Sequence, residues 1–347
     1  MFSTVKYITK KKMIMLTVLP FLLLSFIANS QEIHFSQFYA NALTANPANT
    51  AWYDGNIRLN GMYRTQWKAI DNKPYQTISL SAEKQFQFYD HSYGFGALFL
   101  RDESGYVGLK NDKFLVSGAF AADVNGHKLS GGLQLGLVYK YTDMLKYTYD
   151  EQFDLGGDEV FNRNLENGEL NGKKIFHAAI NFGVMWQKQL ADRFIAEAGF
   201  SLFNINMPHE SLYGIKLDNT KQLMRVAVQF GGTFSAAPRL NILPNLLFMR
   251  QEKSTDFLVG ANFDYELGKK SSVYIGTLFR YGLSENYDAS IWIIGAKFNR
   301  FDIGFSYDIN VSSLKEATSN RGAFEISVTY LTPSWKRSKV KIPCERF

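Results

Sequence analysis

From about Asn56 to Leu331 the chain keeps one rhythm: segments of roughly ten residues alternate apolar with small or polar positions, and turn residues punctuate them. In Lys128 to Tyr139, Leu129, Leu133, Leu135, Leu137 and Tyr139 share one face, while Ser130, Gly132, Gln134 and Gly136 share the other. Phe257, Val259, Ala261, Phe263, Tyr265 and Leu267 alternate with Leu258, Gly260, Asn262, Asp264 and Glu266. The same pattern sets Phe301, Ile303, Phe305 and Tyr307 against Asp302, Gly304, Ser306 and Asp308, and Phe176, Ile180 and Trp186 against His177, Asn181 and Gln187. Successive side chains of a strand point to opposite faces, so a period of two predicts strands. Fourteen are expected, near 56–67, 75–85, 93–101, 113–123, 128–140, 175–187, 193–204, 223–234, 240–251, 256–267, 272–281, 288–298, 301–310 and 323–331. Pro244 predicts a bulge or bend in the ninth.

Strand length turns this pattern into a fold class. At ~3.3 Å per residue and a tilt near 45°, roughly ten residues cross an apolar band of ~25 Å, whereas soluble strands run nearer five or six. The expectation is an all-β fold, an antiparallel outer-membrane barrel with its small and polar face toward the lumen. The links agree with it. Tight ones (Asn125-Gly126, Lys188 to Asp192, Ser235 to Arg239, Gly268 to Lys270, Asn299-Arg300) fall at every second connection, and longer ones (141–174, 205–222, 311–322) lie between. Outer-membrane barrels alternate short periplasmic turns with longer outer loops, which predicts both termini in the periplasm. Aromatics near strand ends, including Tyr139, Tyr141, Trp186, Phe194, Tyr281 and Trp292, suit an interfacial girdle.

The N-terminal end changes how charge is read. Lys6, Lys10, Lys11 and Lys12 precede an apolar run from Met13 to Ile27, and Ala28-Asn29-Ser30 offers small residues for cleavage before Gln31. Residues 1–30 are expected to be a cleaved export signal, because the run is short for a membrane anchor helix, which takes roughly 20 apolar residues. No cysteine follows the run to carry a lipid. Four of the charges behind the formal +6 belong to this leader, which leaves the rest near +2 and little basis for nucleic-acid binding. Residues 31–55 are polar and aromatic without clean periodicity and are expected to form a periplasmic or plug segment ahead of the barrel at 56–331. Residues 332–347 are basic and are expected to form a periplasmic tail. Cys344 is the single cysteine, which excludes an intramolecular disulfide framework; it is either an intermolecular link or a thiol without a role.

The search for chemistry returns little. The five histidines lack HxxxH or HExxH spacing, and neither a GxSxG elbow nor a P-loop is present. His177 and His209 stand where a rim Ser-His pair would be sought, but nothing selects a serine. Asp150, Glu151, Asp154, Asp158 and Glu159 around Gly156-Gly157 suit calcium or, more simply, a solvated loop. Gly94 and Gly96 read as strand glycines facing a crowded lumen. Asp264, Glu266, Asp302 and Asp308 either tune solute passage or wet a plugged interior. No catalytic residue, cofactor or metal is expected.

Three stretches are distinctive together: His34-Phe35-Ser36-Gln37-Phe38-Tyr39-Ala40-Asn41 with Asn46-Pro47-Ala48; Tyr63-Arg64-Thr65-Gln66-Trp67 with Pro74-Tyr75-Gln76-Thr77; and the closing Ile342-Pro343-Cys344-Glu345-Arg346-Phe347. They resemble the PorP/SprF family of Bacteroidetes outer-membrane proteins, components of the type IX secretion system, with Glu345 standing where that family often has proline. The resemblance implies a non-enzymatic platform that helps export or surface-anchor particular cargo such as large adhesins, some of them used in gliding motility. Implied partners are periplasmic and outer-membrane secretion components, adhesin-like cargo and outer-membrane lipid. The alternative function is a passive channel or hydrophobic-solute transporter. Two contact regions are expected. One is Phe35, Gln37, Phe38, Tyr39, Asn46 and Pro47, at or inside the periplasmic mouth, unless this stretch only plugs and stabilises the barrel. The other is the tail, with Trp335, Lys336, Arg337, Pro343, Cys344 and Phe347, unless it is a frayed end; its basic residues, with Lys339 and Lys341, suit an acidic surface.

Overall fold

The computed structural model describes residues 34–67, 74–88, 91–104, 108–142, 174–211, 220–282, 287–312 and 315–333. The expected export signal at 1–30, the acidic stretch 150–159, and the tail residues Trp335, Lys336, Arg337, Pro343, Cys344 and Phe347 lie outside these. The strands are Ile57–Gln66 (β1), Tyr75–Phe88 (β2), His91–Ser104 (β3), Leu109–Val124 (β4), His127–Thr142 (β5), Lys174–Ala191 (β6), Phe194–Phe203 (β7), Arg225–Ala237 (β8), Leu240–Gln251 (β9), Ser254–Gly268 (β10), Ser271–Gly282 (β11), Tyr287–Phe298 (β12), Phe301–Asn310 (β13) and Arg321–Leu331 (β14). Each pairs antiparallel with its sequence neighbours, and β1 pairs with β14, which closes the sheet into a barrel. Closure leaves no edge strand with unpaired amides, as a sheet in hydrocarbon requires.

The alternation divides outside from inside as expected. On β5, Leu133 is 59% exposed and Leu135 56%, while Ser130 and Gln134 are 5% and 1% exposed. Outward side chains elsewhere are equally apolar, among them Phe95, Phe176, Ile275 and Ile294. This apolar belt is the surface a bilayer covers, and the chain is an outer-membrane barrel. No described helix is long and apolar enough to cross a membrane.

The two rims differ. One, here the turn rim, holds the start of β1, the end of β14 and six links of two residues each. Asn125 and Gly126 make the β4–β5 turn with φ of 53° and 74°, and Asp123 accepts the Gly126 amide at 3.0 Å. Left-handed backbone at both positions matches the twist of a two-residue hairpin, which is why an Asn-Gly pair stands there. The other, the loop rim, carries the longer links, including 143–173 and 204–224, although Glu252-Lys253 makes a two-residue link there too. Pro244 differs from expectation. Register is kept through it against β10, while against β8 it lies in a short unpaired stretch without changing register, and the irregularity of that hairpin falls at Ser235/Ala237 beside the turn.

Placing a charge on the outer belt tests this orientation. Leu135→Arg should cost about 2–4 kcal/mol of folding free energy, the range for a cation near the bilayer midplane. Urea titration of the barrel folded into vesicles measures it, and a loss below about 1 kcal/mol would place Leu135 outside the belt.

Candidate functional site

The lumen is filled by the chain's own N-terminal segment. Residues 34–56 form no strand; they contain one helical turn at Ala42–Ala45 and a 3-10 turn at Pro47–Ala51. The segment takes its hydrogen-bond partners from inward side chains on opposite walls of the barrel, so it crosses the interior. Those partners also give its direction. Ser36 is held by residues close to the loop-rim ends of β1, β11, β13 and β14. Ala48 is held by Ser130, near the turn-rim end of β5.

At the loop-rim end a charge cluster grips two consecutive residues. The Ser36 and Gln37 amides donate to the Glu325 carboxylate at 2.7 and 2.9 Å. The Ser36 hydroxyl donates to Asp308 at 2.9 Å and accepts from Arg64 at 2.8 Å and from Arg280. Arg64 pairs with Glu325 and, at 3.4 Å, with Asp308; Arg280 pairs with Asp308 at 3.1 Å. Two guanidiniums therefore face two carboxylates, all four buried. Charges withdrawn from water persist only when paired and hydrogen-bonded, and Ser36 supplies the hydroxyl that all but Glu325 share. Gln37 completes the grip: its amide donates to Ser306 at 3.1 Å, and its carbonyl accepts from Ser327 at 3.0 Å.

Deeper in, the segment is fitted to small wall residues. The Asn46 side chain donates to the backbone oxygens of Val184 (3.1 Å) and Phe200 (3.3 Å) and accepts the Ala48 amide at 2.9 Å, capping the 3-10 turn that Pro47 begins. A Cβ at Gly183 would collide with the Asn46 side chain, and one at Gly132 with the Pro47–Ala48 backbone. Asn41 donates to Ser79 at 2.8 Å, and Ser201 donates to the Ala45 carbonyl at 3.0 Å. Apolar groups seat the rest. Phe35 clusters with Met62 and Leu100, and Leu43 with Leu98 and Leu115. Phe38 and Ala45 cover an inward apolar wall that includes Leu247, Leu258, Leu278, Ile291 and Ile293.

Two of the distinctive sequence stretches meet here: Ser36 of the first is bonded to Arg64 of the second, and Trp67 packs edge-on against Tyr75 at 4.9 Å. Phe35, Gln37 and Phe38 are buried, and Tyr39 and Asn46-Pro47 lie in the same interior segment. Phe35 to Gln37 sit in the half farther from the rim where β1 begins, because their charged partners lie there. Gly96 packs against Leu43 in the crowded lumen expected of it. Of the lumen charges, Asp308 holds the segment through the Ser36 hydroxyl. His209 contacts the Thr220 hydroxyl at 3.2 Å, and His177 contacts the Ala178 carbonyl at 3.3 Å. Sequence reasoning missed Glu325 and Arg280; the signal was a lone charge on an otherwise small inward face, as in Ala323, Glu325, Ser327.

A family model described as "Type IX secretion system membrane protein PorP/SprF" matches residues 27–330. No curated protein matches the chain. Among solved structures, the toluene transporter TodX of Pseudomonas putida superposes with a TM-score of 0.47 at 10% identity, covering 86% of this chain and 93% of that one. A FadL homologue of Pseudomonas aeruginosa gives 0.46 at 9% identity, covering 84% and 94%. The KdgM porin in complex with disordered oligogalacturonate gives 0.37 at 7%, covering 79% and 98%.

Two substitutions separate the grip from the fit. Glu325→Ala strips the Ser36 and Gln37 amides and Arg64 of their shared acceptor and should cost about 3–5 kcal/mol, as removing one partner of a buried pair does. Hydrogen exchange should show the Ser36 and Gln37 amides losing protection; unchanged protection would refute the grip. Gly183→Val should displace Asn46 and expose the segment's middle to protease while the barrel still resists unfolding.

Proposed function

The chain belongs to the PorP/SprF family of type IX secretion system membrane proteins, and we propose that it works there as a closed, non-catalytic barrel that assists export or surface anchoring of specific cargo such as large adhesins. The observation that carries this reading is the lumen segment. A barrel built as an open solute path has no use for an interior segment bonded to its walls from one rim to the other. Such a barrel acts through its rims. In this reading the turn rim faces the periplasm, by the rule that short links lie there. Secretion components dock on that side, with the tail residues Trp335, Lys336, Arg337, Pro343, Cys344 and Phe347 among their contacts. The residues Phe35, Gln37, Phe38, Tyr39, Asn46 and Pro47 serve partners indirectly, by keeping the lumen occupied.

One observation favours a second reading. The inward wall beneath Phe38 is apolar, and an apolar wall suits a hydrophobic-solute transporter whose segment moves aside.

Reconstitution and deletion separate the two. The purified barrel in planar bilayers should give no steady solute-permeable conductance, and deleting the protein from cells should stop surface delivery of a particular secreted cargo. Steady conductance together with intact export would establish the transporter instead. Truncation of residues 335–347 should lower recovery of secretion components in pull-downs; unchanged recovery and export would remove the tail from the proposal.

A further inference from the structure

The turn rim carries a charge pattern that neither the lumen segment nor the secretion reading uses. Four consecutive turns at this rim join β6 to β7, β8 to β9, β10 to β11 and β12 to β13. Their second residues are Arg193, Arg239, Lys270 and Arg300, and Lys269 adds a fifth cation to the third turn. All five are exposed, and none is ion-paired among the described residues. Exposed acids in these four turns and the strand ends beside them are Asp192 and Glu266. The β4–β5 turn on the same rim has Asn125-Gly126 at its tip and Asp123 beside it, and its nearest lysine, Lys128, is turned onto the Trp52 ring at 4.4 Å. Among the described turns of this rim, exposed cations at the turn tips thus gather on the arc from β6 to β13.

The four turns of that arc are also tied to their neighbours. The Arg193 carbonyl accepts the Ser235 amide at 2.9 Å, Arg239 accepts Glu266 at 2.8 Å, Lys270 accepts Asn299 at 2.7 Å and Arg300 accepts Leu331 at 2.8 Å. Each cationic turn residue is thus tied by its backbone to the next hairpin. The cations follow closely on outward apolar side chains: Leu190 (56% exposed), Phe234 (43%), Leu267 (58%) and Phe298 (70%) lie on the same four hairpins, within five residues of the cation. Arg300 is tied to the outward aromatic side chains, since its guanidinium donates to the Tyr330 hydroxyl at 3.2 Å, and that ring lies tilted against the outward Phe301 at 5.0 Å. Aromatic side chains with a polar tip sit at the headgroup level, and cations just beyond an apolar band reach phosphate oxygens there.

We propose that the turns carrying Arg193, Arg239, Lys269, Lys270 and Arg300 form a binding arc for the phosphate headgroups of anionic lipids on one side of the barrel. The occupant is lipid rather than an acidic protein because each cation follows so closely on lipid-facing side chains. Each Lys or Arg near an anionic surface strengthens the contact about fivefold, the factor equivalent to about 1 kcal/mol. The arc rests on the barrel's position in the membrane and not on its role in secretion.

The full chain is reconstituted in nanodiscs of phosphatidylcholine with a minority of phosphatidylglycerol, re-extracted in mild detergent, and its retained lipid quantified by mass spectrometry. Phosphatidylglycerol should be enriched several-fold over its share of the bilayer, and the enrichment should fall as salt is raised. The variant R193Q/R239Q/K269Q/K270Q/R300Q should return to the bulk ratio, while K253Q at the opposite rim keeps the enrichment. Folding of each variant is confirmed by the faster gel migration of unheated barrel. Bulk-ratio lipid on the unaltered protein overturns the proposal, and so does enrichment that survives the fivefold substitution. An acidic secretion component that binds the arc in place of lipid also overturns it.

Discussion

Hydrocarbon offers a peptide group no hydrogen-bond partner, and the rest of this molecule follows from that constraint. Every amide and carbonyl within the apolar belt has to find its partner on the same chain, so the fourteen strands close on themselves through β1 and β14. A closed sheet of this size encloses a wide interior. Its inner face then has to be wetted or filled, and this chain fills it with residues 34–56.

The filling explains details that the barrel alone leaves without a reason. Gly132 gives the Pro47–Ala48 backbone, and Gly183 the Asn46 side chain, room to approach the wall. Buried charges at Arg64, Arg280, Asp308 and Glu325 would be costly inside an apolar interior, yet they balance one another around Ser36. The interior is also divided in kind. One wall mixes Thr77, Ser79, Glu83, Ser117 and Ser130 with Met62, Leu98, Leu100 and Leu115, and it receives polar groups of the segment together with Phe35 and Leu43; the other is lined by Leu247, Leu258, Leu278 and Ile291 and receives Phe38.

The strands were legible because lipid imposes a simple demand. An outward position is apolar, an inward one small or polar, and β5, β10 and β13 obey so closely that their faces could be assigned by eye. Legibility fell where the inner face is itself apolar. In β9 and β12 both faces carry leucine or isoleucine, since Phe38 covers that wall, and the alternation blurs. The site was half legible. The HFSQFY and YRTQW stretches stood out as unusual, but their meeting through Ser36 and Arg64 did not. Still less visible were Asp308 and Glu325, which lie 272 and 289 residues from Ser36 along the chain. No local pattern reports a partner at that distance.

Arg64 and Glu325 are also direct cross-strand neighbours in the β1–β14 pairing. Ser36 and Gln37 are therefore fastened across the seam where the first and last strands meet. A segment tied at that seam, and reaching from one rim to the other, is laid in far more readily while the sheet is open than threaded through a finished cylinder. Filling and sealing then become one cooperative event in assembly. Ser36 and Gln37 are the clasp that β14 must meet before the wall can shut.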